Sequence, residues 1–422
     1  MTGLTGLTAA LAALGMTATL AGCGASVASD DTVTLKMVAA DYGDSPANST
    51  QKYWDEVTAA FEKKNPGIEV DVDVRSWSEV DAAVAAMVKK GDAPDIAQIG
   101  AYADYAAQGK LYSADDLLSI PVQADFLPAL SQAGELRRVQ YGMPFASSTR
   151  LLFYNKDLFA QAGVTGAPQS WTELAADARK LKAAGVKYPF ALPLGREEAP
   201  AETLMWLLSG GDGYTDNVGT YTLDSEANIK TFKWLRDDLV GEGLTGPTAP
   251  GELDRQDAFN AFSRGEVGML NGHPTLMKQA AKKGVEYGMV PLPGVNGKAK
   301  ATMGVADWMM GFKQHGHKAE IGKFLDFVYA DENVLEFSDR YDILPVTSSA
   351  SDAMAEDPKY KHLREFLEEL PNSELYPVGK TSWAQVSAAV KQRIGKAVER
   401  DGDPAAILQR LQNEAVAAES AE

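Results

Sequence analysis

A strand–helix–strand pattern occupies residues 68–100, which read IEVDVDVRSWSEVDAAVAAMVKKGDAPDIAQIG. Apolar and acidic side chains alternate with period two over Ile68–Val74, which predicts a half-buried β-strand. A helix is predicted over Val80–Lys89, and the turn at Gly91–Pro94 leads into a short strand over Asp95–Ile99. A strand followed by a helix and a second strand is typical of α/β proteins.

The same alternation extends towards the N-terminus. Thr32–Ala39 predicts a strand, and Ser49 or Thr50 is expected to cap a helix that carries Trp54 and Phe61 on one face. Because strands and helices alternate, we expect a largely parallel sheet with helices on both faces.

Length, composition and charge limit the classes of protein. The chain has 422 residues, two to three times the usual size of a single core, so we expect two lobes. Hydrophobic residues make up 45% and charged residues 23%, which is ordinary for a soluble globular protein. The formal net charge of −18 would repel phosphate backbones, so nucleic acid is excluded as a partner.

The first thirty residues predict export and a lipid anchor. Leu7–Leu20 is apolar and leads through Ala21 and Gly22 into Cys23, the only cysteine. This segment resembles a bacterial lipoprotein signal, although no Lys or Arg precedes Lys36. We therefore expect a signal peptide over residues 1–22, lipidation of Cys23 and a tether over residues 23–32; the alternative is a buried N-terminal helix with a chance cysteine.

Several motifs occur in an order and spacing that resemble a known family. They are Phe61–Ile68, Ala93–Ile96, Tyr141–Phe145, Leu152–Leu158 and Phe262–Gly272, continued by Leu344-Pro345 and Trp383. From residue 33 to about residue 415 the chain resembles the family-1 extracellular solute-binding proteins, which include the maltose-binding protein.

The resemblance implies two α/β lobes in a periplasmic-binding-protein-like fold of type II, joined by three hinge crossings. The crossings would fall near Pro144–Ser147, Thr302–Val305 and Leu344–Val346. The N-terminal lobe would comprise residues 33–146 plus 304–345, and the C-terminal lobe residues 147–303 plus 346–422. The C-terminal lobe would end in amphipathic helices over Gln385–Val398 and Ala405–Ala415.

The chemistry of sugar binding selects candidate ligand residues. The apolar face of a pyranose stacks on Trp or Tyr, and its hydroxyl rim needs planar polar groups. Ligands of α/β sheets bind beyond the carboxyl ends of strands, here 40–42 and 100–102. The positions where the family has its ligand contacts correspond to Asp41, Tyr42, Tyr102, Ser148, Arg150, Glu198, Glu202, Trp206, Asn271, His273, Asp307, Trp308, Tyr376 and Trp383.

One feature departs from the pattern of sugar-binding relatives, and one ambiguity concerns the tryptophans. Many relatives follow Asn-Gly with Pro-Trp, whereas here His273-Pro274 follows Asn271-Gly272, so His273 either meets the ligand or only caps a helix. For any single Trp, packing in the core is the competing interpretation; Trp54 and Trp234 lie in helical patterns and are assigned to the core.

Enzymatic functions find little support in the sequence. Glu197, Glu198 and Glu202 could form the paired carboxylates of a glycosidase, but sugar-binding rims recruit the same residue types. Motifs for a serine nucleophile, a zinc protease and a phosphate-binding loop are absent from the sequence. His315 and His317 lack a third ligand nearby and are expected to form a structural loop. No metal and no cofactor is therefore expected.

The resulting hypothesis is a monomeric, non-enzymatic protein on the extracellular face of the membrane. It would close a hinge on a mono- or oligosaccharide and deliver that sugar to the permease subunits of an ABC transporter. A polyamine or another small solute is the alternative ligand, and a secreted carbohydrate-active enzyme is the alternative class.

Overall fold

The computed structural model describes residues 32–43, 48–77 and 79–420. The predicted signal peptide over residues 1–22, Cys23 and nearly all of the predicted tether lie outside the described residues. Within the described ranges, no helix combines the length and the apolar character that crossing a lipid bilayer would require.

The elements alternate between strands and helices along most of the chain. The strands are β1 Val33–Ala40, β2 Ile68–Arg75, β3 Ile96–Ile99, β4 Glu135–Leu136, β5 Val139–Gln140, β6 Met143–Thr149, β7 Leu151–Asn155, β8 Tyr188–Phe190, β9 Val267–Gly272, β10 Tyr287–Val290, β11 Pro293–Gly294, β12 Gly297–Lys298 and β13 Gly304–Gly311. The α-helices are α1 Thr50–Lys64, α2 Val80–Lys90, α3 Ala103–Ala107, α4 Ala114–Leu117, α5 Ile120–Asp125, α6 Pro128–Ala133, α7 Lys156–Gln161, α8 Trp171–Ala183, α9 Ala199–Ser209, α10 Glu226–Trp234, α11 Arg255–Ser263, α12 Pro274–Lys282, α13 Lys318–Val328, α14 Asp331–Tyr341, α15 Ser348–Glu356, α16 Arg364–Glu369, α17 Trp383–Arg393 and α18 Pro404–Glu419.

Local chemistry explains where the first elements begin and end. The Ser49 hydroxyl accepts the backbone N–H of Lys52 and caps α1, while the Thr50 hydroxyl accepts the N–H of Tyr42 at 2.8 Å. Ser49 is therefore the cap, and Thr50 fixes the chain that leaves β1. Gly91 ends α2 in the left-handed conformation with φ of 73°, as the turn predicted there requires.

The first sheet has the strand order β2-β1-β3-β13-β6. β1 is parallel to both β2 and β3, as predicted. β13 is antiparallel to β3 and to β6, which corrects the prediction of a largely parallel sheet. The reason is that β13 enters at the end of the sheet where β1 and β3 finish, so it runs in the opposite direction.

The second sheet has the strand order β10-β7-β9-β8. Only β8 and β9 are parallel among its neighbours, whereas β10–β7 and β7–β9 are antiparallel. A single residue, Arg150, separates β6 of the first sheet from β7 of the second. This short connection places one end of the first sheet next to one end of the second sheet.

The three segments predicted as hinge crossings lie side by side at Ser147. Ser147 faces Ala306 in the β6–β13 ladder. Its backbone N–H donates to the Leu344 carbonyl at 3.1 Å, and its hydroxyl donates to the Pro345 carbonyl at 3.0 Å. Ser147 therefore bonds to the third segment, and the next residue of β6, Ser148, faces Val305 of the second segment in the ladder.

The buried apolar side chains form two clusters. The first surrounds the first sheet and includes Trp54, which is fully buried and stacks on Phe145 at 5.5 Å. The second surrounds α8, α9 and α17 and includes Trp206. Trp234 is half-buried and stacks on Trp171 at 4.6 Å, at the edge of the second cluster.

The C-terminal helices divide between these clusters. Ser349 of α15 bonds to Asp125 of α5 through its backbone N–H at 3.0 Å, and to Asp331 of α14 through its hydroxyl at 2.6 Å. α15 thus packs with the helices of the first sheet. The last two helices, α17 and α18, belong to the second cluster; α17 begins two residues before the predicted start at Gln385.

Candidate functional site

A cavity of about 580 Å³ lies between elements of the two sheets, and we call it the cleft. Residues that follow β1, β2 and α14 line one side, and residues of β6, α11 and the starts of α9 and α12 line the other. Its lining residues are Tyr42, Trp77, Ser148, Arg150, Glu197, Glu198, Arg255, His273, Pro274, Thr275, Tyr341, Asp342 and Ile343.

The side of the cleft next to the first sheet is aromatic. The ring of Tyr42 meets Trp77 edge to face at 5.4 Å and lies 5.8 Å from Tyr341. Phe337 supports Tyr42 from α14 at 5.0 Å. Tyr42, Trp77 and Tyr341 are called the aromatic wall below, and 39% of the Trp77 surface is exposed to solvent.

A chain of hydrogen bonds holds Tyr42 in place. The Gln98 side-chain amide donates to the Tyr42 hydroxyl at 2.8 Å, and that hydroxyl donates to Oδ2 of Asp307 at 2.8 Å. Burial raises the pKa of Asp307 to about 7, with a smaller contribution from the charge of Asp81. Asp307 was predicted to contact ligand; its observed partner is Tyr42, which itself lines the cleft.

The opposite side carries four charged residues in a chain of ion pairs, which we call the charged wall. Arg150 pairs with Glu198, and Arg255 pairs with Glu198 at 2.7 Å and with Glu197. Glu197 also accepts the backbone N–H of Gln256 at 2.9 Å. The two guanidinium groups and the two carboxylates balance in charge, and their planar groups provide several hydrogen-bonding edges.

Behind the charged wall lies a cavity of about 10 Å³, which we call the back cavity. It shares Arg150, Glu198 and Arg255 with the cleft. Its lining residues are Arg150, Pro193, Glu198, Ala201, Glu202, Met205, Arg255, Phe259 and Asn271. The volume is close to that of one water-sized probe.

Glu202 and Asn271 form the polar end of the back cavity. Oε1 of Glu202 accepts the indole N–H of Trp206 at 2.8 Å and the Asn271 amide at 2.9 Å. Only 5% of each of these two polar residues is exposed. Burial raises the pKa of Glu202 to about 8, so the carboxyl is protonated at neutral pH.

His273 lines the cleft at the start of α12. Its side chain makes no capping hydrogen bond, and its ring lies 5.0 Å from Phe259. Burial, together with the guanidinium groups of Arg150 and Arg255, holds the pKa of His273 well below its usual value. The imidazole is therefore neutral. His273 occupies the N-cap position of α12, but its side chain does not cap the helix.

Four of the predicted site residues contact other parts of the protein and do not line the cleft. Trp308 is fully buried against Tyr102, with ring centres 5.3 Å apart, and Tyr102 is itself fully buried. Trp206 is also fully buried and holds Glu202. Asp41 accepts the N–H of Gly43 at 3.0 Å and shapes a turn.

These contacts correct the prediction that the indole of Trp308 lies on the cleft. The ladder shifts register between Asp307 and Trp308. Because β13 lies between β3 and β6, however, the indole is enclosed within the first core. Tyr102 and Trp206 are also completely buried, so they too are packing residues.

Tyr376 and Trp383 form a stacked pair with ring centres 5.1 Å apart. Trp383 is 9% exposed, and Tyr214 packs on it edge to face at 4.9 Å. Burial raises the pKa of Tyr376 well above its usual value, and the charge of Glu198 adds to this effect. The pair thus lies near the charged wall, although neither ring is among the residues that line the cleft.

Trp77, Tyr341 and Arg255 are among the cleft residues that were not predicted from the sequence. Trp77 lies two residues after β2, so the rule that ligands bind beyond carboxyl ends of strands could have identified it. Tyr341 ends α14 just before the third crossing, and Arg255 begins α11. Nothing in their local sequence separates these two residues from ordinary helix ends.

His315 and His317 share one buried carboxylate. Their Nδ1 atoms lie 3.3 Å and 3.0 Å from Oδ1 of Asp95, which is 1% exposed. Among the residues with described positions, no group of three or more His, Cys, Asp and Glu side chains has the geometry of a metal site. The pair therefore fastens the loop after β13 to the start of β3.

Comparison with known proteins adds a family match. A family model described as bacterial extracellular solute-binding protein matches residues 46–334. A Brucella abortus protein is 28% identical over 389 residues, which cover 91% of this chain and 93% of that protein. Its name describes a binding protein and does not state what it binds. The sn-glycerol-3-phosphate-binding periplasmic protein UgpB of Escherichia coli is 26% identical over 334 residues, which cover 73% of this chain and 74% of that protein.

Solved structures have the same fold. The cyclic alpha-maltosyl-1,6-maltose binding protein from Arthrobacter globiformis superposes with a TM-score of 0.77 at 18% identity, over 92% of this chain and 100% of that chain. Maltose-bound MalE3 of T. maritima gives a TM-score of 0.73 at 21% identity, over 91% of this chain and 99% of that chain. The predicted two-lobed fold of periplasmic binding proteins is thereby confirmed.

Proposed function

The chain belongs to the bacterial extracellular solute-binding protein family, and we propose that it captures an uncharged mono- or oligosaccharide for an ABC importer. The observation that carries this proposal is the pairing of an aromatic wall with a charged wall across one cleft. The aromatic wall suits the apolar face of a pyranose. The planar groups of the charged wall suit the donors and acceptors of its hydroxyl rim.

The balance of charge in the cleft supports an uncharged ligand. Arg150 and Arg255 are neutralised by Glu197 and Glu198, and Asp342 pairs with Lys278 of α12. A phosphate would have to displace a carboxylate from a guanidinium group, and a polyamine would meet carboxylates that already have partners. A neutral sugar can bind at the edges of these pairs without breaking them. We therefore favour a sugar over a polyamine or a glycerol phosphate.

A melting-temperature screen tests this function. The purified chain is heated with neutral sugars, amino sugars, sn-glycerol 3-phosphate and polyamines in parallel, because a ligand that binds only the folded state raises the melting temperature. We expect a rise with at least one neutral sugar, followed by a measurable affinity in calorimetry. A rise only with the phosphate or only with the polyamines would overturn the proposal.

We propose that the protein has no enzymatic activity on its ligand. Glu198 is held by two guanidinium groups, and Glu202 is a buried carboxyl whose Oε1 accepts two hydrogen bonds. A glycosidase requires one free carboxylic acid and one free carboxylate on opposite sides of a bond. We expect the bound sugar to be recovered unchanged after long incubation; turnover would favour the carbohydrate-active enzyme instead.

We propose that closure of the cleft signals that the protein has bound its ligand. The lobes would be those predicted from the sequence, residues 33–146 with 304–345 and residues 147–303 with 346–422, except that α15 moves with the first lobe. Motion about the three segments that meet at Ser147 would bring the aromatic wall towards the charged wall. A ligand that contacts both walls stabilises only the closed form and shifts the population towards it.

We further propose that the mature protein is a monomer anchored by lipid at Cys23, on the extracellular face of the membrane. The sequence Leu20-Ala21-Gly22-Cys23 and the match to an extracellular family support this location. The anchor would keep the closed form close to the permease subunits, which receive the sugar. Short tethers raise the effective concentration of a partner in this way.

A further inference from the structure

A buried oxygen of Asn271 lacks a hydrogen-bond partner. Asn271 is the penultimate residue of β9, a strand that is buried along its whole length, and only 5% of Asn271 is exposed. Its amide nitrogen donates to Glu202 at 2.9 Å, but no donor among the described residues reaches its Oδ1. Leaving a buried acceptor unsatisfied is costly, and the arrangement therefore points to a donor that comes from outside the chain.

The neighbouring contacts fix the direction in which this oxygen points. Oε1 of Glu202 accepts the indole N–H of Trp206 at 2.8 Å, which assigns Oε1 as the carbonyl oxygen of the neutral carboxyl and places the proton on Oε2. A carbonyl oxygen can only be met by another donor. Asn271 must therefore turn its NH₂ group towards Glu202 and its Oδ1 away from it. Glu202 and Trp206 act as positioning residues for this acceptor.

The back cavity has room for a single small group. Its volume is about 10 Å³, which accommodates one oxygen atom with its hydrogen. Arg150 and Arg255 on its wall are donors only, whereas Asn271 Oδ1 is an acceptor. A hydroxyl satisfies both because it accepts from a guanidinium group and donates to the amide oxygen. An ammonium group can only donate and so offers no acceptor to the guanidinium groups, and a phosphate is too large.

We infer that the back cavity receives one hydroxyl group of the bound sugar, which donates its hydrogen bond to Oδ1 of Asn271. This inference rests on the proposed function, since the hydroxyl must enter from the cleft, with which the cavity shares Arg150, Glu198 and Arg255. Asn271 is thus a specificity-determining residue. It selects a sugar that carries a hydroxyl at one particular carbon, and it discriminates against the deoxy analogue.

A cycle of ligand and protein variants tests the inference. The probes are the neutral sugar that gives the largest rise in melting temperature and its deoxy and deoxyfluoro analogues, one for each hydroxyl. Fluorine keeps the size of the hydroxyl but cannot donate a hydrogen bond. Affinities are measured by calorimetry for the wild type, Asn271→Ala, Asn271→Ser and the control Asn260→Ala, which makes the same substitution at an exposed residue of α11 that lines neither cavity.

We expect one carbon at which both the deoxy and the fluoro analogue lose about tenfold to hundredfold in affinity to the wild type. Asn271→Ala should lose a similar factor for the parent sugar and show no further loss with those two analogues. Asn271→Ser provides the same readout if the alanine variant does not fold. Asn260→Ala should keep the wild-type affinity and the wild-type pattern of losses.

Two outcomes would overturn the inference, and they are distinguishable. If a sugar binds but every analogue loses the same factor in wild type and in the Asn271 variants, the cavity does not hold a ligand hydroxyl and is filled by water. If no sugar binds at all, the proposed function itself fails, and the inference fails with it.

Discussion

The protonated carboxyl of Glu202 leads to a quantitative prediction for the variant Glu202→Gln. In the folded protein, burial raises the pKa of Glu202 from its ordinary value of 4.5 to about 8. The unfolded chain releases this proton near pH 4.5, whereas the folded chain retains it up to about pH 8. Folding stability is therefore lost as the pH rises from 4.5 to 8 and is constant above that range.

The magnitude follows from 1.36 kcal/mol for each pH unit between the two pKa values. The loss in wild type is below about 1 kcal/mol at pH 5, about 3 kcal/mol at pH 7 and about 4 kcal/mol at pH 8. A glutamine in place of Glu202 cannot ionise, yet its carbonyl oxygen can still accept from Trp206 and Asn271. The variant should thus become more stable relative to wild type by these amounts as the pH rises.

Urea unfolding at pH 5, 7 and 8 measures the difference in free energy between wild type and Glu202→Gln. Glu266→Gln is the matched control, because ion pairing with Arg264 lowers the pKa of Glu266 to about 2 and reverses the sign of its dependence on pH. Its stability relative to wild type should stay nearly constant between pH 5 and 8, because Glu266 changes its protonation only below about pH 5. Parallel pH profiles for wild type and Glu202→Gln would show that Glu202 is ionised in the folded state.

Four further predictions concern the cleft, the core, the hinge and the anchor. Trp77→Ala should lower sugar affinity by about tenfold to hundredfold in calorimetry with little change in melting temperature, because an exposed stacking face is lost. Trp308→Ala should instead lower stability by about 3–5 kcal/mol and leave the affinity of the folded fraction intact; the opposite pattern would restore Trp308 to the cleft. Saturation with the sugar should reduce the radius of gyration in solution scattering, and an unchanged profile would argue against closure. Cys23→Ser should release the protein from membranes at unchanged affinity, so wild-type retention in the membrane fraction would disprove the lipid anchor.

Much of the first sheet was predictable because its signals are local. The alternation over Ile68–Val74, the cap at Ser49 and the turn at Gly91 each lie within a few residues of the structure that they determine. The antiparallel entry of β13 was not predictable in this way. It depends on where the chain returns after the second sheet, which periodicity does not report.

Only some residues of the site could be identified from the sequence, for a related reason. Tyr42, Ser148, Arg150, Glu198 and His273 were placed on the cleft by the resemblance, and they do line it. The role of an aromatic residue depends on the elements that cover it, and a sequence pattern does not contain that information.

The ion pairs of the charged wall show the same limit. Arg255 and Glu197 lie 58 residues apart and meet only because the start of α9 packs beside the start of α11. Likewise, Trp308 resembled a cleft residue because it follows a crossing, yet two flanking strands enclose it.

The position of β13 also governs how the chain reaches its folded state. Strand β13 lies between β3 and β6, although about 150 residues of sequence separate it from its nearer partner. A nascent chain that ends before residue 304 has therefore left β3 and β6 without their shared neighbour. Contacts of such large sequence separation form slowly, because the intervening loop must be closed before they stabilise anything. The first lobe cannot complete its sheet during most of synthesis, and a chain that stays unfolded for that long remains able to thread through a narrow export channel.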